Sequence, residues 1–260
     1  MLAPLLETRA LTVKFGGHLA VSKVDLTVDA GGIVGLIGPN GAGKTTTFNM
    51  ISGVQTPTSG SVHLQGQDVS KVGAHQRARL GIARTFQRLE VFSSMTVREN
   101  VLVGGEIRES WARRTPAGPQ LLAHSNADLT LAEEVELLLE RLQISNLADS
   151  LVGELPTGSA RLVELARALA IRPKLLLLDE PASGLDETET EHFADLLVEL
   201  ATAGLGILLV EHDVPLVMKV CSNISVLDFG QIIATGTPKE IQNNQVVLDA
   251  YLGSGEGAHG

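Results

Sequence analysis

Cysteine is nearly absent from this chain: Cys221 is the only one in 260 residues. An internal disulfide is excluded, and a reducing compartment suits the composition. Cys221 lies among apolar residues and reads as a small core residue rather than a reactive thiol. Aromatics are scarce at 3%, so a single ring in a special position stands out. Basic residues are outnumbered, 20 Lys and Arg against 30 Asp and Glu, for a formal charge of −10. That balance disfavours a protein whose affinity comes from neutralising nucleic-acid phosphates, and no nucleic-acid partner is expected. No apolar run approaches the roughly 20 residues of a membrane-spanning helix. The N-terminus lacks the basic start and apolar core of a signal peptide. The expectation is a soluble, cytoplasmic chain, free to sit on a membrane protein. His63 and His75 are isolated, without metal-ligand spacing, and are expected at the surface.

What is present is a large apolar fraction, 44%, with 19% charged residues, enough to bury a sizeable core. The length fits one compact unit with a subdomain. Its organising stretch is Gly38-Pro39-Asn40-Gly41-Ala42-Gly43-Lys44-Thr45, a G-x-x-x-x-G-K-[ST] phosphate loop. An apolar strand, 33–37, precedes it, and a helix from Thr45 through Thr46 to Ser52, stopped by Gly53, follows. Glycines let backbone N–H groups turn towards phosphate oxygens, and the helix N-terminus favours the same anion. Lys44 would reach the β- and γ-phosphates, and the Thr45 hydroxyl would ligate Mg²⁺. The motif implies binding of a nucleoside triphosphate, ATP or a relative.

Residues 5–32 read as antiparallel strands, with strict alternation over 24–29. Phe15, just before Gly16-Gly17, is either a platform for a base or a core residue. Residues 61–64 read as another antiparallel strand, and Arg84-Thr85-Phe86-Gln87 as the polar end of a short one. Residues 104–128 are expected to be irregular, broken by Pro116-Ala117-Gly118-Pro119. Within them, Arg108 to Arg114 around Trp111 is either a docking surface or a solvated loop.

Thr130 and Glu133 form a candidate capping box before a helix whose apolar face is Leu131, Val135, Leu138, Leu139 and Leu142. A second amphipathic helix is expected over 161–171, after Leu155-Pro156-Thr157-Gly158-Ser159. Leu175-Leu176-Leu177-Leu178-Asp179-Glu180 reads as a buried parallel strand presenting two acids at its C-terminal edge, where ligands bind in open α/β sheets. There Asp179 would hold Mg²⁺, and Glu180 would orient or deprotonate an attacking water. Phe193, Leu196, Leu197 and Leu200 mark another helix, and strand 207–210 delivers Glu211-His212-Asp213 to the same edge. A hairpin is expected over 224–234, a helix from Pro238, and a frayed tail over 254–260.

Taken in order, these motifs resemble an ABC-transporter nucleotide-binding subunit over nearly the whole chain. The matching stretches are GPNGAGKTT, RTFQ, LPTGS before ARLVELARALA, LLLLDEP, SGLD and EHD. The resemblance implies an α/β P-loop NTPase: a mainly parallel core sheet, an antiparallel β subdomain and an inserted helical subdomain at roughly 88–170, all within 1–253. It also implies that Phe15 stacks on adenine and that Gln87 touches Mg²⁺ and senses the membrane partner. Asp186 would contact the second cassette, and His212 would be the switch histidine. ATP and Mg²⁺ are the implied cofactors.

Within the family the chain looks most like the larger ATPase subunit of branched-chain amino-acid importers, on the stretches 84–104, 211–238 and 246–253. The implied partners are a second ATPase subunit (a homologous chain or another copy), integral-membrane permease subunits and, indirectly, an extracytoplasmic solute-binding protein. The implied location is the cytoplasmic face of the inner or plasma membrane. Urea, a short amide or a lipid as the cargo, a soluble ABC ATPase and a regulatory module with little turnover are the competing readings. One departure stands out: Thr157 and Ser159 replace the aromatic and glutamine usual in this subfamily's signature. The site that this signature completes is expected to be weakened.

Overall fold

The computed structural model describes residues 3–111 and 129–253. Leu6–Phe15 (β1) and His18–Val28 (β2) pair antiparallel. Ile33–Ile37 (β3) then enters the phosphate loop, which opens Lys44–Ser52 (α1). Ser59–Leu64 (β4) and Gln67–Asp68 (β5) return to the first sheet, whose order is β2-β1-β4-β5. Ala74–Arg79 (α2) leads to Ile82–Arg84 (β6). Three helices follow: Val97–Trp111 (α3), Leu131–Arg141 (α4) and Thr157–Ala170 (α5). Leu175–Asp179 (β7), Glu187–Thr202 (α6), Gly206–Val210 (β8), Val214–Val220 (α7), Asn223–Asp228 (β9) and Gln231–Gly236 (β10) complete the second sheet and its cover. Pro238–Gln242 (α8) and Gln245–Gly253 (α9) close the described chain.

The second sheet runs β10-β9-β3-β8-β7-β6, parallel except for β10 at one edge. Its central strands β3, β8 and β7 are buried along their whole length and almost wholly apolar, because both faces are covered. The period of two splits them cleanly. Leu176, Leu178, Ile207 and Leu209 join a core with α5, α6 and α7, whereas Leu175, Leu177, Leu208 and Val210 join Phe48, Met50 and the antiparallel sheet.

Three sequence expectations are corrected. Residues 104–111 are not irregular but continue α3. Gly104 and Gly105 sit there because neighbours come too close for a side chain: a Cβ at Gly104 would lie 2.4 Å from the Arg167 carbonyl oxygen, and one at Gly105 2.1 Å from Leu131. Arg108 accordingly pairs with buried Glu134, and Trp111 packs edge-on to His75 and against Arg79, rather than forming a free loop. Helix α5 begins at Thr157 rather than 161, with Pro156 as N-cap, so the LPTGS stretch supplies its first turn. His63 is half-buried in β4, opposite Glu7 and Asp68, although His75 is exposed. The Pro116–Pro119 break, Arg114 and the 254–260 tail lie outside the described residues.

Candidate nucleotide site

Four neighbouring parallel strands bring the chemistry to one edge. At their C-terminal ends, β3 gives the phosphate loop, β8 gives Glu211 and His212, β7 gives Asp179 and Glu180, and β6 gives Arg84 and, three residues on, Gln87. In the loop, Gly38 has φ 150° and its missing Cβ would stand 1.9 Å from the Leu227 carbonyl oxygen. No other residue type fits there. The buried Lys44 ammonium donates to the carbonyl oxygens of Gly38 (2.7 Å) and Pro39 (3.0 Å), lying across the loop. Burial lowers its pKa, while the nearby Glu180 and Asp179 carboxylates oppose that shift. Phe15, at the β1–β2 turn, is 49% exposed, as a stacking platform must be and a core residue is not.

Gln87, Glu180 and His212 meet. Gln87 Nε2 donates to Glu180 Oε2 at 3.1 Å, and His212 Nε2 lies 2.7 Å from Glu180 Oε1. Glu180 holds this place with φ 51°, in the left-handed region that a non-glycine residue adopts only at some cost. Its amide N–H donates to the Val210 carbonyl at 2.8 Å, tying the end of β7 to β8. Glu211 adds a second tie. Its buried carboxylate accepts from the amides of Ala182 (2.8 Å), His212 (2.9 Å) and Asp213 (3.3 Å), and burial raises its pKa.

Among the described residues no group of three His, Cys, Asp or Glu could hold a metal ion. Mg²⁺ does not need one, since it is bound through one or two protein oxygens plus water and substrate phosphates. The residues present fit that pattern. Asp179 Oδ2 is held at 3.1 Å by Arg84, whereas its buried Oδ1 has no hydrogen-bond partner among the described residues. The Thr45 side chain is exposed at the start of α1, on the same edge.

The signature residues do not join this cluster. Leu155 is half-buried, and the first turn of α5 packs on the loop before α6, with Gly184 against Thr157 and Gly158 close to Leu185 and Glu189. Asp186 accepts from the Glu189 amide at 2.8 Å and caps α6. Pro156 offers no side-chain cap to α5. Ser159 borders a cavity of about 280 Å³ with Arg141, Leu185 and Glu189, which leaves room for a longer side chain. Ser159→Gln should therefore raise the ATPase rate of the assembled complex about fivefold, equivalent to one net hydrogen bond of ~1 kcal/mol. An unchanged steady-state rate would dismiss the idea that this signature is weakened.

Sequence reasoning gave no role to Arg84, Arg161, Glu164 or Glu211. A signal existed for Glu211, an acid ending an all-apolar strand just as Asp179 does. Nothing local marked Arg84, whose guanidinium joins Asp179 to Asn49 of α1 (2.5 Å) and lies over the Phe86 ring.

Comparisons with known proteins agree with this geometry. The ABC transporter family model matches residues 21–183, and the model for branched-chain amino acid ATP-binding cassette transporters matches 231–257. The chain is 39% identical over 254 residues to the high-affinity branched-chain amino acid transport ATP-binding protein BraF of Pseudomonas aeruginosa, covering 97% of this chain and 99% of that one. It is 40% identical over 259 residues to LivG of Salmonella typhimurium, which carries the same description, with the same coverage. The lipopolysaccharide export system ATP-binding protein LptB of Haemophilus influenzae is 37% identical over 249 residues, 96% of this chain and 97% of that one. Among solved structures, a nucleotide-free ATP-binding cassette from an ABC transporter superposes with a TM-score of 0.82 at 29% identity, covering 96% of this chain and 99% of the other. With a family model over more than half its length and relatives near 40% identity from end to end, the chain belongs to the ABC transporter family, as an ATP-binding cassette.

Proposed function

We propose that the chain is the ATP-hydrolysing subunit of an importer of branched-chain amino acids, seated at the cytoplasmic face of a separate membrane permease. The observation that carries the hydrolytic part is the Glu180 carboxylate held between Gln87 and His212. The match of residues 231–257, joined to the full-length similarity to BraF and LivG, supports the cargo. It favours an amino acid over a lipid, despite the LptB likeness. Among the described residues no helix is long and apolar enough to cross a membrane, which fits a peripheral subunit.

In this reading the phosphate loop amides and Lys44 bind the β- and γ-phosphates, and Phe15 stacks on adenine. Mg²⁺, held by Thr45, Asp179 and Gln87, would offset the phosphate charge. Glu180 accepts a proton from the attacking water while His212 stabilises its carboxylate and donates towards the γ-phosphate. The signature turn of α5 completes the site of a second cassette, with Asp186 at the contact.

In this reading the permease docks beside Gln87. A groove of about 220 Å³ beside Gln87 is lined by Val54, Ala78, Phe86, Arg167 and Ile171. Its exposed Phe86 and Val54 offer apolar surface to a short helix from the membrane subunit.

A tagged Glu180→Gln variant, recovered with ATP and Mg²⁺ from detergent-solubilised source cells, tests this. Two permease subunits and a second cassette are the expected co-purifying chains. Soluble partners or ribosomes alone would overturn the transport reading and leave ATP hydrolysis standing. Leucine uptake in vesicles by the same complex rebuilt with the parent chain, set against urea and lipid, then tests the cargo.

A further inference from the structure

The segment from Phe86 to Thr96 lies between β6 and α3 without a strand or helix of its own. Its backbone N–H and C=O groups need partners from elsewhere. Up to Thr85 the chain still belongs to the sheet: the Thr85 amide donates to the Leu177 carbonyl at 3.0 Å. From Phe86 onwards the partners change. The Arg161 guanidinium on α5 donates to the Phe86 carbonyl (2.7 Å) and to the Gln87 carbonyl (2.5 Å). Glu164, one turn later and fully buried, accepts from the amides of Phe86 (3.3 Å) and Glu90 (3.4 Å). Arg167, a further turn on, donates to the Glu90 carbonyl and stacks over Phe92 at 5.1 Å. Arg161 and Glu164 also pair with each other at 3.4 Å, so donor and acceptor hold each other in place.

We infer that Arg161 and Glu164 are positioning residues for hydrolysis: they bind the Gln87 backbone to α5, so that Gln87 travels with the helix whose first turn is Thr157-Gly158-Ser159. Gln87 touches Glu180 through its side chain alone, and its backbone is fixed from the other side. A displacement of α5, such as engagement of its first turn by a second cassette, therefore shifts Gln87 against Glu180. Occupancy of the neighbouring site is transmitted to this one through two side chains. Neither residue touches the phosphate loop, so nucleotide binding and hydrolysis respond differently to their loss.

The inference rests on the roles of Gln87 and Glu180 proposed above, and a Glu180→Gln control separates the two. If that control hydrolyses ATP normally, the site assignment fails, whatever Arg161 does. The test uses the assembled complex, in equilibrium ATP binding with EDTA and in single-turnover hydrolysis with Mg²⁺. Arg161→Gln should leave ATP affinity unchanged and slow hydrolysis about tenfold, the rate equivalent of a misplaced catalytic contact. In a Gln87→Ala background, Arg161→Gln should cause no further loss, because the group it positions is gone. Full hydrolysis by Arg161→Gln, or an undiminished second loss in the Gln87→Ala background, would overturn the inference. Should Arg161→Gln not fold, Arg161→Lys keeps the charge but loses the rigid guanidinium fork that spans the two carbonyls. It is expected to show the same split, and a uniform loss of binding and rate would count against the proposal.

Discussion

Glu180→Gln should bind ATP as tightly as the parent chain and hydrolyse it about 10²- to 10⁴-fold more slowly, the loss expected when a positioned general base is removed. The substitution preserves shape, and the amide can still meet His212 and Gln87, which stand 2.7 and 3.1 Å from the carboxylate oxygens. What disappears is the negative charge that draws a proton from water. Lys44, also near that charge, keeps the Gly38 and Pro39 carbonyls as partners, so the phosphate loop is undisturbed. Single-turnover hydrolysis alongside equilibrium ATP binding separates the two effects. Hydrolysis within about threefold of the parent would mean that Glu180 is not the base, since even modest general-base effects exceed that.

Arg77→Met should be the most damaging change away from the site. The Arg77 side chain is fully buried and, among the described residues, has no carboxylate partner. It donates instead to four backbone carbonyls: Met50 (2.7 Å) and Ile51 (2.6 Å) at the end of α1, and Ser70 (3.1 Å) and Val72 (2.8 Å) in the next connection. Burial pushes its pKa down to about 10, yet it remains charged at neutral pH. A cation at a helix C-terminus complements the dipole, here that of the helix whose other end carries the phosphate loop. Methionine fills much of the volume but leaves those carbonyls without donors, at roughly 1–3 kcal/mol each before relaxation. The expected loss is roughly 3–5 kcal/mol, or about 10 °C in the thermal midpoint of a chain this size. A melt within about 2 °C of the parent would show that water replaces the guanidinium.

The strands and the phosphate loop were legible because each carries its own local signal: uninterrupted apolar runs, glycines at fixed offsets, and acids at strand ends. The capping box at Thr130 was legible for the same reason. What escaped depends on contacts between distant segments. Gly104-Gly105 suggests a break in sequence, but in space it is where α3 is closely approached by the Arg167 carbonyl and by Leu131. Arg161 and Glu164 look like ordinary polar positions on an amphipathic helix until the Phe86–Glu90 segment is laid beside them. The meeting of Gln87, Glu180 and His212 follows from strand order β8-β7-β6, which no local pattern encodes.

The sheet order has a consequence for biosynthesis. Strand β3, which ends in the phosphate loop, is flanked by β8 and β9, whose residues 206–210 and 223–228 leave the ribosome some 170 to 190 positions later. Gly38 itself is seated against the Leu227 carbonyl. A nascent chain therefore exposes an unpaired apolar strand through most of its translation, and it cannot shape its phosphate loop until nearly nine-tenths of the polypeptide has been made. Long-range pairing of this kind folds slowly and leaves partly made chains prone to aggregation. It also means that a truncated product stopping before β9 lacks a finished loop with which to sequester ATP.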